Sequence, residues 1–245
     1  MSWEPKYDVG FIDEEFMVPI DCLHGYTSMN RSKGVIRSER LRYLYNKYNM
    51  KKEFVAIGFR VPELYLYTKG EICEEDLLKH DGFVAKPAHM SESDNVLIND
   101  TAGLRELNDS LNKTARLNES DMLKECERGI IIEELIDVVY ELKIFVVWGS
   151  PLIGDLRLGK SESDRVCFIG KENAYLNWDK EYELIERLAE MIKIDFFRID
   201  FLYDGKRLYA SEYEFMPGTI LPEEIEQLIE IRWQRPYYQH YYGMR

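Results

Sequence analysis

Two spacings of apolar residues organise the chain. Apolar positions at helical spacing predict helices that begin after Ser38 and extend over residues 104 to 111, 121 to 128 and 182 to 193. Short apolar runs bounded by turn residues predict strands over residues 53 to 59, 83 to 86, 95 to 98, 130 to 135, 141 to 148, 152 to 158 and 166 to 169. Strands and helices mixed in this order predict an α+β protein with two sheet-bearing lobes.

A predicted hairpin near the C-terminus carries charged residues at even positions, namely Arg198, Asp200, Glu212 and Glu214. Side chains alternate across a strand, so the register of the hairpin decides whether these charges share a face. A three-residue loop, Tyr203 to Gly205 with its glycine left-handed, pairs even positions with even ones, whereas a two-residue Asp-Gly turn separates them. We predict the three-residue loop.

A shared face brings several carboxylates close together. Two carboxylates about 4 Å apart repel by roughly 4 kcal/mol at an effective dielectric near 20, so such a cluster takes up protons or binds a cation. Magnesium suits the cluster, because it takes oxygen ligands and is usually bound by one or two carboxylates together with substrate phosphates. A solvated acidic strand face is the alternative, and the hairpin by itself does not decide between them.

Composition narrows the class of protein. The chain has 245 residues, of which 45% are hydrophobic, and a formal net charge of -13. This acidic balance argues against a sequence-independent grip on nucleic acid or on anionic lipid. The four cysteines are far apart and predict neither a zinc site nor a disulfide framework, which is typical of a reducing compartment. We expect a soluble cytoplasmic protein, since the sequence shows no secretory leader and no membrane-spanning run.

Other chemistries have little support in the sequence. No nucleophile elbow, Walker loop or His-Glu-x-x-His motif occurs. The aromatic run over residues 233 to 242 is interpreted as a packing segment or a contact between copies of the chain, because the basic groove that accompanies base stacking is missing.

Five segments occur in an order that resembles a known family. They are Phe83 to His89, Glu133 to Ile136, Glu141 to Lys143, Arg198 to Asp200, and Glu212 to Gly218. Together they resemble the ATP-grasp superfamily, and their residue patterns are closest to those of its TupA-like branch, named for teichuronopeptide biosynthesis. In that branch a Phe-Val-x-Lys-Pro stretch precedes a histidine-bearing loop, and an Arg-Val-Asp strand is followed by a glutamate strand that ends in Pro-Gly. The resemblance covers roughly residues 40 to 220.

The resemblance implies two α+β lobes with the nucleotide between them. It divides the chain into an N-terminal region of residues 1 to 80, which forms a reduced first lobe, and an ATP-grasp subdomain of residues 81 to 136 with the phosphate loop. A second ATP-grasp subdomain, residues 137 to 220, contains the metal-binding hairpin. Residues 221 to 245 remain as a C-terminal helix and aromatic tail.

The resemblance also implies a set of nucleotide contacts. Lys86 is expected on the α- and β-phosphates, and Glu141 on the ribose. The loop residues expected near phosphate are His89, Ser91 and Ser93. The strand end expected to hold the adenine comprises Glu133, Glu134, Leu135 and Ile136. The alternative for Lys86 is that it is a surface lysine. The alternative for residues 133 to 136 is that they are a strand end with ordinary charges.

The reacting groups implied by the resemblance belong to the second lobe. Lys143 is expected to contact phosphate or the base, and Arg157 the transferring phosphate. Arg198 is expected on the γ-phosphate or the acyl phosphate. The implied magnesium ligands are Asp200, Glu212 and Glu214.

The chain departs from the family pattern at two places. Glycines of the loop after Lys86, which let backbone N–H groups approach phosphate, are replaced by residues 89 to 93 with the sequence His-Met-Ser-Glu-Ser. A carboxylate, Glu214, stands where the family commonly has asparagine or threonine. These departures bear on turnover more than on binding.

The activity implied by the resemblance is that of an ATP- and Mg²⁺-dependent carboxylate–amine ligase, which acts through an acyl phosphate. The setting that the resemblance implies is polysaccharide biosynthesis, with a small-molecule, peptide or sugar acceptor. The acidic composition predicts no nucleic acid or membrane partner, and the aromatic run is a candidate contact between copies of the chain. A small-molecule or sugar kinase is a second interpretation, because the same site would transfer phosphate to a hydroxyl. A non-catalytic nucleotide-binding or scaffold protein is the third, because the loop glycines are missing.

Overall fold

Two antiparallel sheets with helices packed against them make up the described part of the fold. The structure is a computed structural model that describes residues 43 to 90, 95 to 113, 126 to 157, 165 to 171, 177 to 192, 196 to 215, 221 to 229, 231 and 232. Helix α1 (Lys47–Ile57) precedes the two sheets, which follow in chain order. The predicted α+β class with two sheets is confirmed.

The first sheet has the strand order β1-β4-β2-β3. Its strands are β1 (Leu64–Thr68), β2 (Phe83–Pro87), β3 (Leu97–Ile98) and β4 (Ile130–Glu134). Helix α2 (Glu74–Leu78) and helix α3 (Leu104–Asp109), which continues into a 3-10 turn (Ser110–Asn112), contribute Leu77 and Leu107 to the core on one face. The predicted hairpin of the second and third strands is confirmed, since Val84 pairs with Ile98.

The second sheet has the strand order β7-β6-β5-β8-β9. Its strands are β5 (Tyr140–Val147), β6 (Ser150–Arg157), β7 (Arg165–Ile169), β8 (Phe196–Tyr203) and β9 (Leu208–Glu214). Helix α4 (Asp179–Ile192) lies between β7 and β8 in the chain, and its buried residues are those predicted from the spacing: Leu184, Ile185, Leu188, Ala189 and Ile192. Residues 223 to 229 form a further helix, α5.

Helix α1 corrects one sequence prediction, because residues 53 to 59 were expected to form a strand. The Asn46 side chain caps the helix by accepting hydrogen bonds from the N–H groups of Tyr48 and Asn49. Gly58 ends it in the left-handed conformation, with φ of 106°. Two caps and a buried face that includes Phe54 favour helix over the strand that its apolar residues suggest locally.

The two faces of the second sheet have different surroundings. One face packs on α4 and α1 in the main core, which includes Ile144, Ile199 and Leu188. On the other face, Phe145, Ile153 and Ile229 form a smaller core with α5 at one end of the strands. The remainder of that second face is polar and carries the candidate site.

The loop of the β8–β9 hairpin also differs from the prediction. Tyr203 pairs with Leu208, so the loop comprises residues 204 to 207 rather than three residues, although Gly205 is left-handed as predicted, with φ of 88°. This loop pairs odd positions with even ones. The register shifts between Asp200 and Phe201, because Ser211 forms a β-bulge as an extra residue in β9. Beyond this bulge, even positions pair with even positions, as predicted.

Some predictions lie outside the described residues or are untested. The cap at Ser38 and residues 121 to 125 of the predicted helix are not among the described residues. The domain limits drawn from the sequence stay predictions. Among the described residues, no helix has the length and apolar character needed to cross a membrane.

Candidate functional site

A row of register partners crosses the second sheet on its polar face. Lys143 on β5 pairs with Asp200 on β8, which in turn pairs with Glu212 on β9. Partners in an antiparallel sheet point to the same side. The neighbouring pair, Arg198 and Glu214, adds two more charges to this face. The prediction that the charges of the hairpin share one face is therefore confirmed, through the bulge rather than the predicted loop.

Asp200 lies between two cations. Its Oδ1 accepts a hydrogen bond of 2.5 Å from Arg198 Nε, and its Oδ2 accepts one of 2.7 Å from Arg198 Nη2. Lys143 Nζ donates to the same Oδ2 at 2.9 Å. Burial by itself lowers the pKa of Arg198, but the adjacent Asp200 carboxylate outweighs burial and raises it. This cluster keeps two fixed positive charges beside one carboxylate.

Glu212 is held by a residue that the sequence did not point to. Lys47, the first residue of α1, places Nζ 3.3 Å from Glu212 Oε2 and also donates to the carbonyl oxygen of Met90 at 2.7 Å. Lys47 is the main cause that lowers the pKa of Glu212 to about 2, with Lys86 and Arg198 assisting against the opposing effect of burial. Glu212 therefore stays ionised throughout the physiological range.

Helix α1 and the first sheet together form an ion-pair triad, made of Lys51 on α1, Glu133 on β4 and Lys86 on β2. Glu133 Oε1 lies 2.6 Å from Lys86 Nζ, and Glu133 Oε2 lies 2.8 Å from Lys51 Nζ. Burial lowers the pKa of Lys51, although Glu133 partly opposes it. For Lys86 the negative charges of Glu133 and Glu212 outweigh burial and raise the pKa. For Glu133 the two lysines outweigh burial and lower the pKa.

Helix α1 connects the two sheets through this charge network. Lys47 reaches β9 of the second sheet, and Lys51, one turn later on the same side, reaches β4 of the first. Lys86 on β2 lies close enough to Glu212 to affect its pKa. A sequence signal was present, since a capping asparagine precedes two lysines at i and i+4, but nothing in the local sequence indicates which carboxylates these lysines meet.

Glu214 and Tyr45 form another link across the molecule. The hydroxyl group of Tyr45, which precedes α1, donates to Glu214 Oε1. All three carboxylates of the hairpin thus have a cationic or hydroxyl partner. Tyr45 is a further residue that the sequence patterns did not identify.

Arg157 takes part in a second cluster, centred on Asp155. Arg165 donates from Nε to Asp155 Oδ1 at 2.5 Å and from Nη2 to Oδ2 at 2.8 Å, while Arg157 Nε lies 3.4 Å from Oδ2. Asp155 is completely buried. The sequence predicted Arg157 as a site residue but indicated neither Asp155 nor Arg165.

The residues predicted to read adenine and ribose lie where β4 leads into β5. Glu134 Oε2 accepts from the N–H of Glu63 at 3.1 Å, and the N–H of Leu135 donates to the carbonyl of Gly82 at 3.4 Å. Ile136 is buried. Glu141 is half exposed, and its Oε2 lies 3.9 Å from Lys143 Nζ. The roles expected for Glu133, Glu134, Leu135, Ile136 and Glu141 stay predictions.

His89, expected near phosphate, is buried after β2, against the 3-10 turn at Ser110. Its Nε2 lies 3.2 Å from the carbonyl oxygen of Ser110, and burial lowers its pKa. The ring therefore packs as a neutral group against the 3-10 turn. Ser91 and Ser93 lie outside the described residues.

The carboxylates of the hairpin can be compared with what magnesium requires. Among the described residues, no three His, Cys, Asp or Glu side chains are gathered as a metal site. The donor chemistry nevertheless fits, because Asp200 and Glu212 are register partners with oxygen ligands, and Mg²⁺ needs only one or two carboxylates when phosphates supply the rest. The predicted ligands are therefore suited to a metal that arrives with phosphate.

Comparisons with known proteins identify the fold. No protein-family model and no curated protein matches the chain. Solved structures do match: D-alanine–D-alanine ligase from Helicobacter pylori has 18% identity and a TM-score of 0.51 over 78% of this chain and 60% of that one. The corresponding ligase from Bacillus anthracis has 16% identity and a TM-score of 0.53 over 85% of this chain and 70% of that one.

A third similar structure was solved with ligands. It is a RiPP-associated ATP-grasp ligase from Chryseobacterium gregarium in complex with ADP and a leader and core peptide, with 20% identity and a TM-score of 0.51 over 78% of this chain and 59% of that one. The chain therefore has the ATP-grasp fold, as the sequence predicted. It spans 60% of the length of the Helicobacter pylori ligase.

Proposed function

We propose that the protein is an ATP-dependent carboxylate–amine ligase. The observation that carries the proposal is the arrangement around Glu212. This one carboxylate has its pKa lowered by Lys47 from α1, by Lys86 from the first sheet and by Arg198 from the second sheet. A polyanion between the two sheets would meet cations from both of them, and the ATP-grasp fold supports ATP as that polyanion.

The proposed nucleotide contacts combine the charged groups of the first sheet with the positions that the sequence resemblance implies. Lys86, held by Glu133, would contact the α- and β-phosphates as a point charge. The strand end at residues 133 to 136 would face the adenine, and Glu141 the ribose. Lys47 donates a hydrogen bond to the carbonyl oxygen of Met90, so this lysine also contacts the segment that follows β2.

Magnesium would be held by Asp200 and Glu212, with Glu214 beside them. When bound with the phosphates it would neutralise their charge during transfer. Arg198 and Lys143, which contact Asp200, would stabilise the group being transferred.

The chemistry requires no protein nucleophile. A substrate carboxylate oxygen attacks the γ-phosphorus, the bond to the bridging β–γ oxygen breaks, and ADP leaves. An amine then attacks the acyl carbon of the acyl phosphate, inorganic phosphate leaves, and the nitrogen loses a proton. The protein contributes position and charge, which suits a site built from lysines, arginines and carboxylates.

We also propose a finer assignment from the sequence resemblance. The residue patterns of the segments around Lys86 and Arg198 support the TupA-like branch, and with it a cytoplasmic role in polysaccharide biosynthesis. The similar structures include ligases that act on D-alanine and one solved with a peptide, which supports a small-molecule or peptide acceptor.

Trapping with hydroxylamine tests the ligase proposal without knowledge of the amine. The full chain is incubated with ATP, Mg²⁺, hydroxylamine and a panel of amino acids, dicarboxylic acids and short peptides. A ligase converts its acyl phosphate into a hydroxamate, and Asp200→Asn abolishes the product, whereas Glu186→Gln on the exposed face of α4 does not.

Three outcomes contradict this activity. A stable phosphorylated product that forms without hydroxamate identifies a kinase. Binding of ATP and Mg²⁺ in calorimetry with no turnover on any acid identifies a non-catalytic binding protein. No binding of ATP at all overturns the nucleotide site itself.

A further inference from the structure

We propose that a cavity between helix α1 and the start of β1 binds a free α-amino acid with an apolar side chain. The cavity has a volume of about 260 Å³. Its lining residues are Tyr48, Lys51, Lys52 and Val55 on α1, and Val61, Pro62, Glu63 and Leu64 where the chain enters β1. None of them is placed on ATP, magnesium or the transferred group, so the proposal goes beyond the ligase function and does not depend on it.

The cavity lies along a side of α1 that does not pack in the main core. Tyr48, Lys52 and Val55 are spaced four and three residues apart, so they share one side of the helix. Met50 and Phe54 point into the main core with the second sheet instead. Val55 is 58% exposed. Helix α1 therefore has a second side, on which apolar groups border a cavity.

Contacts between neighbours hold the walls of the cavity in place. The ring of Tyr48 stacks on that of Tyr67, with the centroids 3.9 Å apart and the planes at 5°. Lys51 Nζ donates to the carbonyl oxygen of Pro62 at 2.9 Å, which joins α1 to the segment before β1. A cavity with fixed walls loses little conformational freedom when a ligand binds.

The volume sets the size of the ligand. An apolar cavity of about 150 Å³ accepts benzene, whereas drug-sized ligands occupy about 300 to 1,000 Å³. A cavity of about 260 Å³ therefore holds one ring or branched chain together with a few further atoms. Phenylalanine and leucine have this size, and a nucleotide is too large.

A cation of the lining is free for a ligand carboxylate. Lys52 Nζ donates to the hydroxyl group of Tyr43 at 3.2 Å and lies 4.5 Å from the centroid of the Tyr48 ring, and these neutral groups position the ammonium without balancing its charge. Glu127 has its pKa lowered mainly by the hydrogen bond from Lys69, with a smaller effect of Lys52. Within the described residues Lys52 forms no ion pair of its own.

A carboxylate of the lining is likewise free for a ligand ammonium. Glu63 is exposed, and its side chain has no ion-pair partner in the part of the chain that the structure describes. Its backbone is fixed, because its N–H donates to Glu134 Oε2 at 3.1 Å and its carbonyl accepts from the Glu134 N–H at 2.8 Å. Lys51, the other ammonium of the lining, lies 2.8 Å from Glu133 Oε2 and is already paired.

Two opposite charges beside an apolar cavity match a zwitterion. An α-amino acid carries its ammonium and its carboxylate on one carbon, so it can meet Glu63 and Lys52 together while its side chain enters the cavity. An acid or an amine with the same side chain leaves one of these two residues without a partner. Because exposed ion pairs contribute little each, the buried side chain provides most of the affinity.

Ligands that differ by one group test the proposal. L-Phenylalanine and L-leucine are the probes, and 3-phenylpropionate lacks the ammonium, phenethylamine lacks the carboxylate, and L-alanine lacks the apolar side chain. Each is titrated by calorimetry into the full chain without nucleotide. We expect at least one of the two probes to bind with a Kd on the order of 1 mM or below. Each analogue should bind about threefold to tenfold more weakly.

Two charge variants should change these affinities in a crossed pattern. Lys52→Gln should weaken the binding of L-phenylalanine about threefold to tenfold and leave that of phenethylamine unchanged. Glu63→Gln should weaken the binding of L-phenylalanine to a similar extent and leave that of 3-phenylpropionate unchanged. Lys180→Gln and Glu186→Gln, at exposed positions of α4, are the matched controls and should change none of the affinities.

Three results overturn the proposal. The first is the absence of saturable binding of both probes at about tenfold the expected concentration. The second is equal affinity for L-phenylalanine and for its two singly charged analogues. The third is displacement of the amino acid by saturating ATP and Mg²⁺, which would assign it to the nucleotide site. A ligase that yields no hydroxamate leaves these measurements unaffected, because they are made without nucleotide, so the two proposals fail separately.

Discussion

Lys47 Nζ lies 3.3 Å from Glu212 Oε2 and thereby joins the first turn of α1 to the last strand of the second sheet. The same ammonium donates to the carbonyl of Met90, just after β2 of the first sheet. One side chain therefore contacts both sheet-bearing parts of the molecule. Its partner is one of the carboxylates proposed to hold magnesium, so the contact ties lobe packing to the charge state of the site.

The pH dependence of stability should report this ion pair. The pKa of Glu212 is lowered from 4.5 to about 2, so its contribution to stability is present above pH 4.5 and lost as the pH falls towards 2. Thermal melting of the wild type and of Glu212→Gln should show the largest difference above pH 5 and a shrinking difference below pH 4.5. Glu186→Gln serves as the control, and a difference that is constant from pH 7 to pH 2 would mean that Glu212 is not stabilised in this way.

Removal of the carboxylate at the centre of the triad should be costly. Glu133→Gln leaves Lys51 and Lys86 together without their counter-charge, and loss of one member of a buried ion pair costs about 3 to 5 kcal/mol. Urea unfolding at pH 7 measures this loss. Glu186→Gln should change the free energy of unfolding by less than about 0.5 kcal/mol. A loss below about 1 kcal/mol would show that the triad is solvated and not a structural element.

The charge of Lys86 should strengthen the binding of ATP. Lys86→Met keeps the aliphatic stem and removes the charge expected on the α- and β-phosphates. We expect ATP to bind about tenfold more weakly, as measured by calorimetry with Mg²⁺. Lys180→Met, on the exposed start of α4, is the control for a general loss of positive charge. Unaltered ATP affinity in Lys86→Met would place the nucleotide elsewhere.

The cap of α1 should influence both stability and the site. Asn46→Ala removes the bonds to the N–H groups of Tyr48 and Asn49 and the bond that Asn46 Nδ2 donates to the carbonyl of Glu127 at 2.7 Å. We expect a loss of about 1 to 2 kcal/mol in the free energy of unfolding. Asn46→Asp keeps the capping oxygen and should recover part of it. Equal stability of Asn46→Ala and the wild type would show that the cap does not hold the helix that presents Lys47.

Several features of the fold could be predicted from local sequence because local physics specifies them. The spacing of Leu184, Leu188 and Ile192 defines one side of α4 whatever packs against it. The even positions of the hairpin indicated which charges could share a face. The predicted loop length was wrong. The bulge at Ser211 compensates for it, and this bulge depends on the contacts of both strands and leaves no mark in the turn residues.

Residues 53 to 59 show the opposite case. Their apolar content fits a strand locally, and only the caps at Asn46 and Gly58 and the burial of Phe54 against the second sheet make them helical. The contacts of Lys47 and Lys51 were not predicted either, because their glutamate partners lie far away in the chain.

The sequence by itself determined the α+β class, the ATP-grasp resemblance and the identities of Lys86, Lys143, Arg198 and the hairpin carboxylates. These depend on residue type and on short spacing. The tertiary structure decided which charges meet: Lys47 with Glu212, Lys51 and Lys86 with Glu133, and two arginines with Asp155. The lysine–glutamate pairs join residues far apart in the chain, so the local sequence does not specify which partners meet. The arginines of Asp155 are closer in sequence, but the pairing of β6 with β7 brings Arg165 to it.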